Sequence, residues 1–347
     1  MYMMAVGKGL WSQLFNQYLA RNTPQSIPKN IVIFRSYFAV GIESKLFRNS
    51  YITGKFELKS KSSTSSTMSN SSTSRPDGLT YASDQVVTEK MNDITLIAIN
   101  RPESRNAVNR ETARQLKQAF INFDKDKYAH VAVLYGKGGT FCAGYDLKEL
   151  SSGNVDLLAE PPQIPFGPMG PSTLQLSKPV IAAVDGHAVA GGLELSLFCD
   201  MRVAEESAVF GVFCRRFGVP LIDGGTVRLP KLIGLSRAMD MILTGRPVKA
   251  DEALSFGLVN RVVPDGQGLD KAIELAKQIA AFPQRCMRAD RLSAYYSTYE
   301  SESLKDAMDF EYKTGSPVVL QESVQGAARF AQGQGRKGSF DDPKSKL

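Results

Sequence analysis

Two glycine-bearing loops carry most of the chemical potential in this chain. One reads Thr140-Phe141-Cys142-Ala143-Gly144-Tyr145-Asp146-Leu147, the other Asp185-Gly186-His187-Ala188-Val189-Ala190-Gly191-Gly192-Leu193-Glu194-Leu195. In the second, glycines open a predicted helix. Without side chains there, a ligand can approach the backbone, and the first-turn N–H groups point outward at the positive end of the helix dipole. Such a place stabilises an oxyanion. Glu194, within the first turns, sets a carboxylate beside it as a candidate proton carrier. Taken singly, each loop is also what an ordinary strand-to-helix turn looks like.

Other chemistries find little material. Gly136-Lys137-Gly138-Gly139-Thr140-Phe141 begins like a dinucleotide fingerprint but puts Phe141 where the last glycine must allow close helix packing. Neither a phosphate-cradling GxxxxGK[ST] nor a GxSxG nucleophile elbow occurs. The chain has 2 histidines, His130 and His187, and 4 scattered cysteines with no CxxC pair, so zinc and disulfide frameworks are not indicated. His187 reads as a structural histidine.

The elements that must position these loops alternate between short apolar runs and amphipathic stretches. Ile94 to Ile99, Val131 to Tyr135, Val180 to Val184 and Leu258 to Val263 read as strands. Thr112 to Phe123 reads as a helix, with Ala113, Leu116, Ala119, Phe120 and Phe123 on one face. Ala250 to Phe256 is also helical, as is the chain from about Leu269, with breaks at Pro283 and Gly315-Ser316-Pro317. This rhythm predicts an α/β fold built from βαβ units.

Charge is distributed unevenly. Residues 1–86 hold 10 Lys/Arg against 4 Asp/Glu, leaving 32 against 31 for the rest. The basic excess belongs to the leader, and the body has no basic stripe of the kind nucleic-acid binding needs. No apolar run reaches the roughly 18 residues of a membrane span. The leader has no acidic residue before Glu43, and Leu10, Trp11, Leu14, Phe15 and Tyr18 recur at helical spacing. Ser60 to Arg75 is nearly all Ser and Thr. This composition fits a disordered extension and equally a mitochondrial transit peptide. The chain finishes Ser345-Lys346-Leu347, the tripeptide read by peroxisomal import receptors, so the peroxisome is the expected location and the mitochondrion the alternative. The expected division is a basic extension over 1–86, a core over 87–268, a helical assembly region over 269–338 and a tail over 339–347.

In this order and spacing the motifs closely resemble those of the crotonase (enoyl-CoA hydratase/isomerase) family. They are Asn100-Arg101-Pro102 with Asn106-Ala107, Phe141 to Leu147, Ile181 to Gly186 with Gly191 to Leu195 and Cys199-Asp200, then Phe210-Gly211, Gly218, Gly224 to Leu229 and Leu243-Thr244-Gly245. The likeness covers about residues 88 to 338. It implies a crotonase (ClpP-like) spiral of ββα turns with a C-terminal helical region, assembled as a homotrimer or a dimer of trimers. It also implies a coenzyme A thioester substrate whose carbonyl oxygen sits between two backbone N–H groups, here those of Tyr145 and Gly191. No metal or redox cofactor is implied. Arg105, Ala107, Ala143, Asp146 and Leu147 would line the coenzyme A channel.

The sequence leaves the family pattern at one place. Hydratases of this family use two glutamates; Glu194 matches one, while Cys214 occupies the position of the other. Cys214 reads as a buried free thiol or as a replacement nucleophile. Asp223, before Gly224-Gly225 and a helix predicted over Thr226 to Ile233, offers another carboxylate, either catalytic or an N-cap. Some relatives, such as dihydroxynaphthoyl-CoA synthase, carry a catalytic aspartate in a similar setting. The resemblance therefore implies hydration of a 2-enoyl-CoA or the reverse dehydration, through a thioester enolate with Glu194 as main proton carrier and Asp223 assisting. The alternatives are double-bond isomerisation and a catalytically weak acyl-CoA-binding relative.

Overall fold

A computed structural model describes residues 84–153 and 167–335. The basic leader up to residue 83, with its Ser/Thr tract, and the Ser345-Lys346-Leu347 tail lie outside the described residues.

The body opens with an antiparallel hairpin of β1 (Val86–Met91) and β2 (Ile94–Ile99). Asn92 takes the turn at φ 55°, a left-handed conformation that asparagine tolerates. Helix α1 (Arg110–Lys125) extends two residues beyond the predicted range at each end. Asn109 caps it, its Oδ1 accepting from the Thr112 N–H at 2.8 Å. Leu116, Ala119, Phe120 and Phe123 form its buried stripe as predicted, joined by Thr112, while Ala113 is only partly buried. Then come β3 (Val131–Gly136) and the short α2 (Leu147–Ser151). The next circuit is β4 (Val180–Val184), β5 (His187–Val189) and α3 (Gly191–Phe198). It is followed by β6 (Met201–Glu205), β7 (Val209–Gly211) and a 3-10 turn over Phe213–Phe217. Helices α4 (Gly225–Ile233) and α5 (Leu235–Thr244) precede β8 (Val248–Lys249), α6 (Ala250–Phe256) and β9 (Arg261–Val263). The chain continues as α7 (Gly268–Ala281), α8 (Gln284–Tyr299), α9 (Leu304–Val318), a π turn at Val319–Ser323 and α10 (Val324–Ala331).

Strand pairing produces the spiral. The larger sheet runs β1-β2-β3-β4-β6-β9, parallel after the first pair, and the smaller runs β5-β7-β8. A bridge from Cys142 to Ala188 carries the circuit after β3 onto the smaller sheet as well. Each circuit thus adds one strand to the larger sheet and one segment to the smaller. The large sheet is buried on both faces, which is why β2 and β4 are buried at every residue instead of alternating. Helix α7 covers one face against Ile94, Val131, Val133, Ile181 and Val203; α1 and α3 fill the other with Phe120, Leu193 and Leu195. Helix α8 is fastened to the core by Asp200, whose Oδ1 accepts from Arg291 at 2.7 Å and the Tyr295 hydroxyl at 3.0 Å.

Two expectations need correction. The strand predicted over Leu258 to Val263 is only Arg261–Val263, because the N–H groups of Leu258 and Val259 bond back to the Ala253 carbonyl at the end of α6. Gly315-Ser316-Pro317 does not break the C-terminal helices: α9 runs through it. Proline removes one ladder bond and crowds the carbonyl four residues back, yet the helix holds to Val318, where a π turn follows. Pro283 does separate α7 from α8.

Candidate active site

Helix α3 is buried at every residue, so its capless N-terminus opens into the protein interior. Ala190, just before it, holds φ 52° and ψ −123°, a conformation costly for a residue with a Cβ. Its own N–H donates to the Gly211 carbonyl at 2.8 Å, and its carbonyl, in one peptide with the Gly191 N–H, accepts from the Glu194 N–H at 3.2 Å, which fixes the direction of the Gly191 N–H. That N–H has no acceptor among the described residues.

The Tyr145 N–H is brought to the same place from the other loop. Val108 brackets Tyr145, donating to the Gly144 carbonyl and accepting from the Asp146 N–H, both at 2.8 Å. The Tyr145 N–H is thereby left facing away from Val108, again with no backbone acceptor among the described residues. Gly144 makes the approach possible. With φ at 100°, a Cβ there would stand 2.9 Å from the Ala190 Cβ and 3.1 Å from the Gly191 nitrogen.

Both donors border a cavity of about 490 Å³ whose walls also include Ala143, Leu147, Met169, Glu194, Cys214 and Asp223. Glu194, 3% exposed, gives its Oε1 to two backbone donors, Asp223 N at 2.9 Å and Gly225 N at 2.8 Å. These donors belong to the entry of α4, so a second helix N-terminus points at the carboxylate. Burial nevertheless dominates and pushes the Glu194 carboxyl up to about 7. Its Oε2 takes no hydrogen bond among the described residues.

Asp223 is not the N-cap that its position allowed. Gly224 occupies the cap of α4 without a side-chain bond, and the Asp223 side chain turns instead toward the segment before β4. Its Oδ1 accepts from Met169 N at 3.1 Å and from the Ser172 hydroxyl. Burial raises its pKa too. Cys214 is a free thiol, 8% exposed, held up by burial and then by the nearby Glu194 charge. A thiol so disfavoured from ionising is a poor nucleophile.

The structure thus brings together Tyr145, Gly191, Glu194, Asp223, Ala143 and Leu147, while Arg105, Ala107 and Asp146 are not among the lining residues. Asp146 is engaged elsewhere, with Arg101 at 3.0 Å and, as the cap of α2, with Lys148 N at 3.0 Å. Arg105 lends its carbonyl to Ala143 N at 3.1 Å, and the Ala107 carbonyl accepts from Arg101. Met169 and Ser172 escaped sequence reasoning, and Arg228 entered it only within the Gly224 to Leu229 motif, without a role; the paired dipeptides Gly167-Pro168 and Gly170-Pro171 were the one signal that a rigid turn stands there.

The sequence profile described as enoyl-CoA hydratase/isomerase matches residues 89–340. Enoyl-CoA hydratase EchA19 of Mycobacterium tuberculosis is 37% identical over 256 residues, covering 70% of this chain and 92% of that protein. Carnitinyl-CoA dehydratase of Escherichia coli is 35% identical over 247 residues, covering 68% and 91%. Among solved structures, enoyl-CoA hydratase EchA1 from Mycobacterium marinum superposes with a TM-score of 0.66 at 34% identity, over 72% of this chain and 96% of that one. The spiral, its helical C-terminal region and these relatives agree, and the chain belongs to the enoyl-CoA hydratase/isomerase family, the crotonases.

Proposed function

We propose that this enzyme adds water across the double bond of a 2-enoyl-CoA, and catalyses the reverse dehydration, using Glu194 and Asp223 as its carboxyl pair. One observation carries the reading: two carboxyl groups and two unengaged backbone N–H groups share one cavity. The thioester oxygen takes the N–H groups of Tyr145 and Gly191. As water oxygen bonds to the β-carbon, the π electrons move onto that oxygen as an enolate, the charge such donors stabilise. The water proton passes to an ionised carboxylate, and the α-carbon takes a proton from a carboxyl. With its pKa near 7, Glu194 can hold or release that proton at neutral pH. Asp223 stands where Cys214 leaves the family's second glutamate missing. Ala143, Tyr145 and Leu147 border the thioester end of the cavity.

A purified-enzyme screen of enoyl-CoA isomers in deuterated water tests this. Formation of 3-hydroxyacyl-CoA with one deuteron on the α-carbon is the expected result. Migration of the double bond without water addition would establish isomerisation instead, a reading favoured by the absence of a carboxylate at Cys214. Tight binding of the ester without chemistry would leave only an acyl-CoA-binding protein. The apolar residues left exposed on α5, α9 and α10 support assembly as a homotrimer or a dimer of trimers.

A further inference from the structure

Asp223 is attached to the protein in an unusual way for a residue beside a reaction. Its N–H is spent on Glu194, and Oδ1 is spent on the Met169 N–H and the Ser172 hydroxyl. Oδ2 takes no hydrogen bond among the described residues, although the residue borders the cavity. Ser172 supplies the one side-chain donor to Oδ1 among the described residues, is itself 2% exposed and lies in the 3-10 turn Pro171–Thr173. That turn is held by Arg228 of α4. One guanidinium nitrogen donates to the Ser172 carbonyl at 2.7 Å and another to the Asp223 carbonyl at 3.1 Å. Arg228 therefore ties both residues of the pair, and no side chain at position 167 would be tolerated, because a Cβ on Gly167 would collide with the Asp223 carboxylate and the Ser172 hydroxyl.

We propose that Ser172, seated by Arg228, is the positioning residue that locks the Asp223 carboxyl with one oxygen given to the chain and the other left to the substrate cavity. The inference rests on the reading that Asp223 serves hydration. A carboxylate free to rotate would present either oxygen and would exchange its hydrogen bonds with water; the Ser172 hydroxyl removes that freedom and favours the ionised form. The charged groups facing Asp223 are Glu194 from α3 and Arg228 from α4. Neither Ser172 nor Arg228 is among the residues lining the substrate cavity.

The test uses the whole enzyme as Ser172→Ala, Ser172→Thr and the charge-keeping Arg228→Lys, with two readouts. The first is the titration of the Asp223 carboxyl by ¹³C NMR, assigned by loss of its signal in Asp223→Asn. The second is the pH profile of kcat and KM for enoyl-CoA hydration. Ser172→Ala is expected to move the Asp223 titration up by about one pH unit, as loss of a hydrogen bond to a charged group should. It should lower kcat about tenfold and leave KM within about twofold, because the interaction acts on chemistry and not on binding. Ser172→Thr, which keeps the hydroxyl, should restore both values. Should Ser172→Ala fail to fold, Arg228→Lys, which keeps the charge but not the fork that seats Ser172, must still raise the titration. An Asp223 titration unmoved in these variants overturns the proposal even if hydration is confirmed. A titration that moves in an enzyme that hydrates nothing upholds the positioning and overturns the hydratase reading alone.

Discussion

Glu194, the proposed proton carrier, is also a source of instability, and the two roles are separable by pH. Its carboxyl rises from an ordinary 4.5 to about 7 because burial disfavours the charge more than the backbone donors of Asp223 and Gly225 favour it. A raised carboxyl binds its proton more tightly in the folded state. Its contribution to stability is whole below pH 4.5 and is lost as the pH climbs through 7. A difference of that size is worth about 3 kcal/mol. Glu194→Gln keeps the acceptor oxygen and carries no charge. It should therefore unfold at a higher denaturant midpoint than the parent at pH 8, and at nearly the same midpoint at pH 4, while kcat falls by about 10²–10⁴. A variant equally active, or no more stable at pH 8, contradicts this account. At Cys214 the expectation runs the other way: Cys214→Ala should leave kcat within about threefold, since a thiol kept protonated by burial does not release its proton to act as a base at neutral pH. Steady-state kinetics decides it. Glu194 was legible in the sequence because its spacing from Gly191-Gly192 fixed it on the first turns of a helix. The Asp223 contacts were not, because Met169 and Ser172 lie about 50 residues away and meet it only through the fold.

Between residues and fold stand the two segments that bring the Tyr145 and Gly191 N–H groups together. Gly144 sets their separation. Gly144→Ala would press a methyl group on Ala190 and on the Gly191 nitrogen from a backbone at φ 100°, forcing the donor loops apart. The expected loss is about 10²-fold in kcat, the usual cost of losing one oxyanion donor. Gly139 is the control: it too has positive φ, at 84°, but nothing lies within 4 Å of a Cβ built there. Gly139→Ala should cost about 1 kcal/mol of stability from backbone strain and leave kcat unchanged. Equal losses of kcat in both variants would mean that donor spacing is not what Gly144 protects. At this scale the sequence was readable where periodicity was strong, as in α1, whose stripe from Leu116 to Phe123 faces the core. It misled where local signals met tertiary demands. Gly315-Ser316-Pro317 looks like a stop, yet α9 passes through because α8 packs along it, with Tyr296 stacked on Phe310 at 3.8 Å. Arg202, the second residue of β6, carries no local signal that foretells its burial. Its guanidinium is buried and donates to the carbonyls of Leu258, Ser196 and Cys199, bracing the far end of α3.

Among the described residues, exposed apolar side chains recur on helices that follow the loops bordering the cavity. On α5, Leu235, Met239 and Leu243 recur at intervals of four residues, and Leu235 and Leu243 are each 66% exposed. On α9, Leu304, Met308 and Tyr312 repeat the pattern, and Leu320 in the π turn and Val324 at the start of α10 are exposed at the same spacing. Side chains three and four apart share one helix face, so these are continuous stripes and not scattered exposures. Exposed leucines singly need no explanation, but aligned stripes of this extent are the surfaces that oligomers bury. Burying the stripe on another copy also constrains α4, which α5 follows directly and whose entry donates the Gly225 N–H to Glu194. Assembly and the active site are therefore expected to fail together. Leu235→Glu combined with Leu243→Glu places charge on the stripe without touching the cavity. In sedimentation equilibrium the parent should report three chains or six, and the double variant a smaller mass. The variant's kcat should fall as it dissociates and recover at protein concentrations that restore the mass. A parent that sediments as a single chain, or a dissociated variant with full activity, would separate the two surfaces.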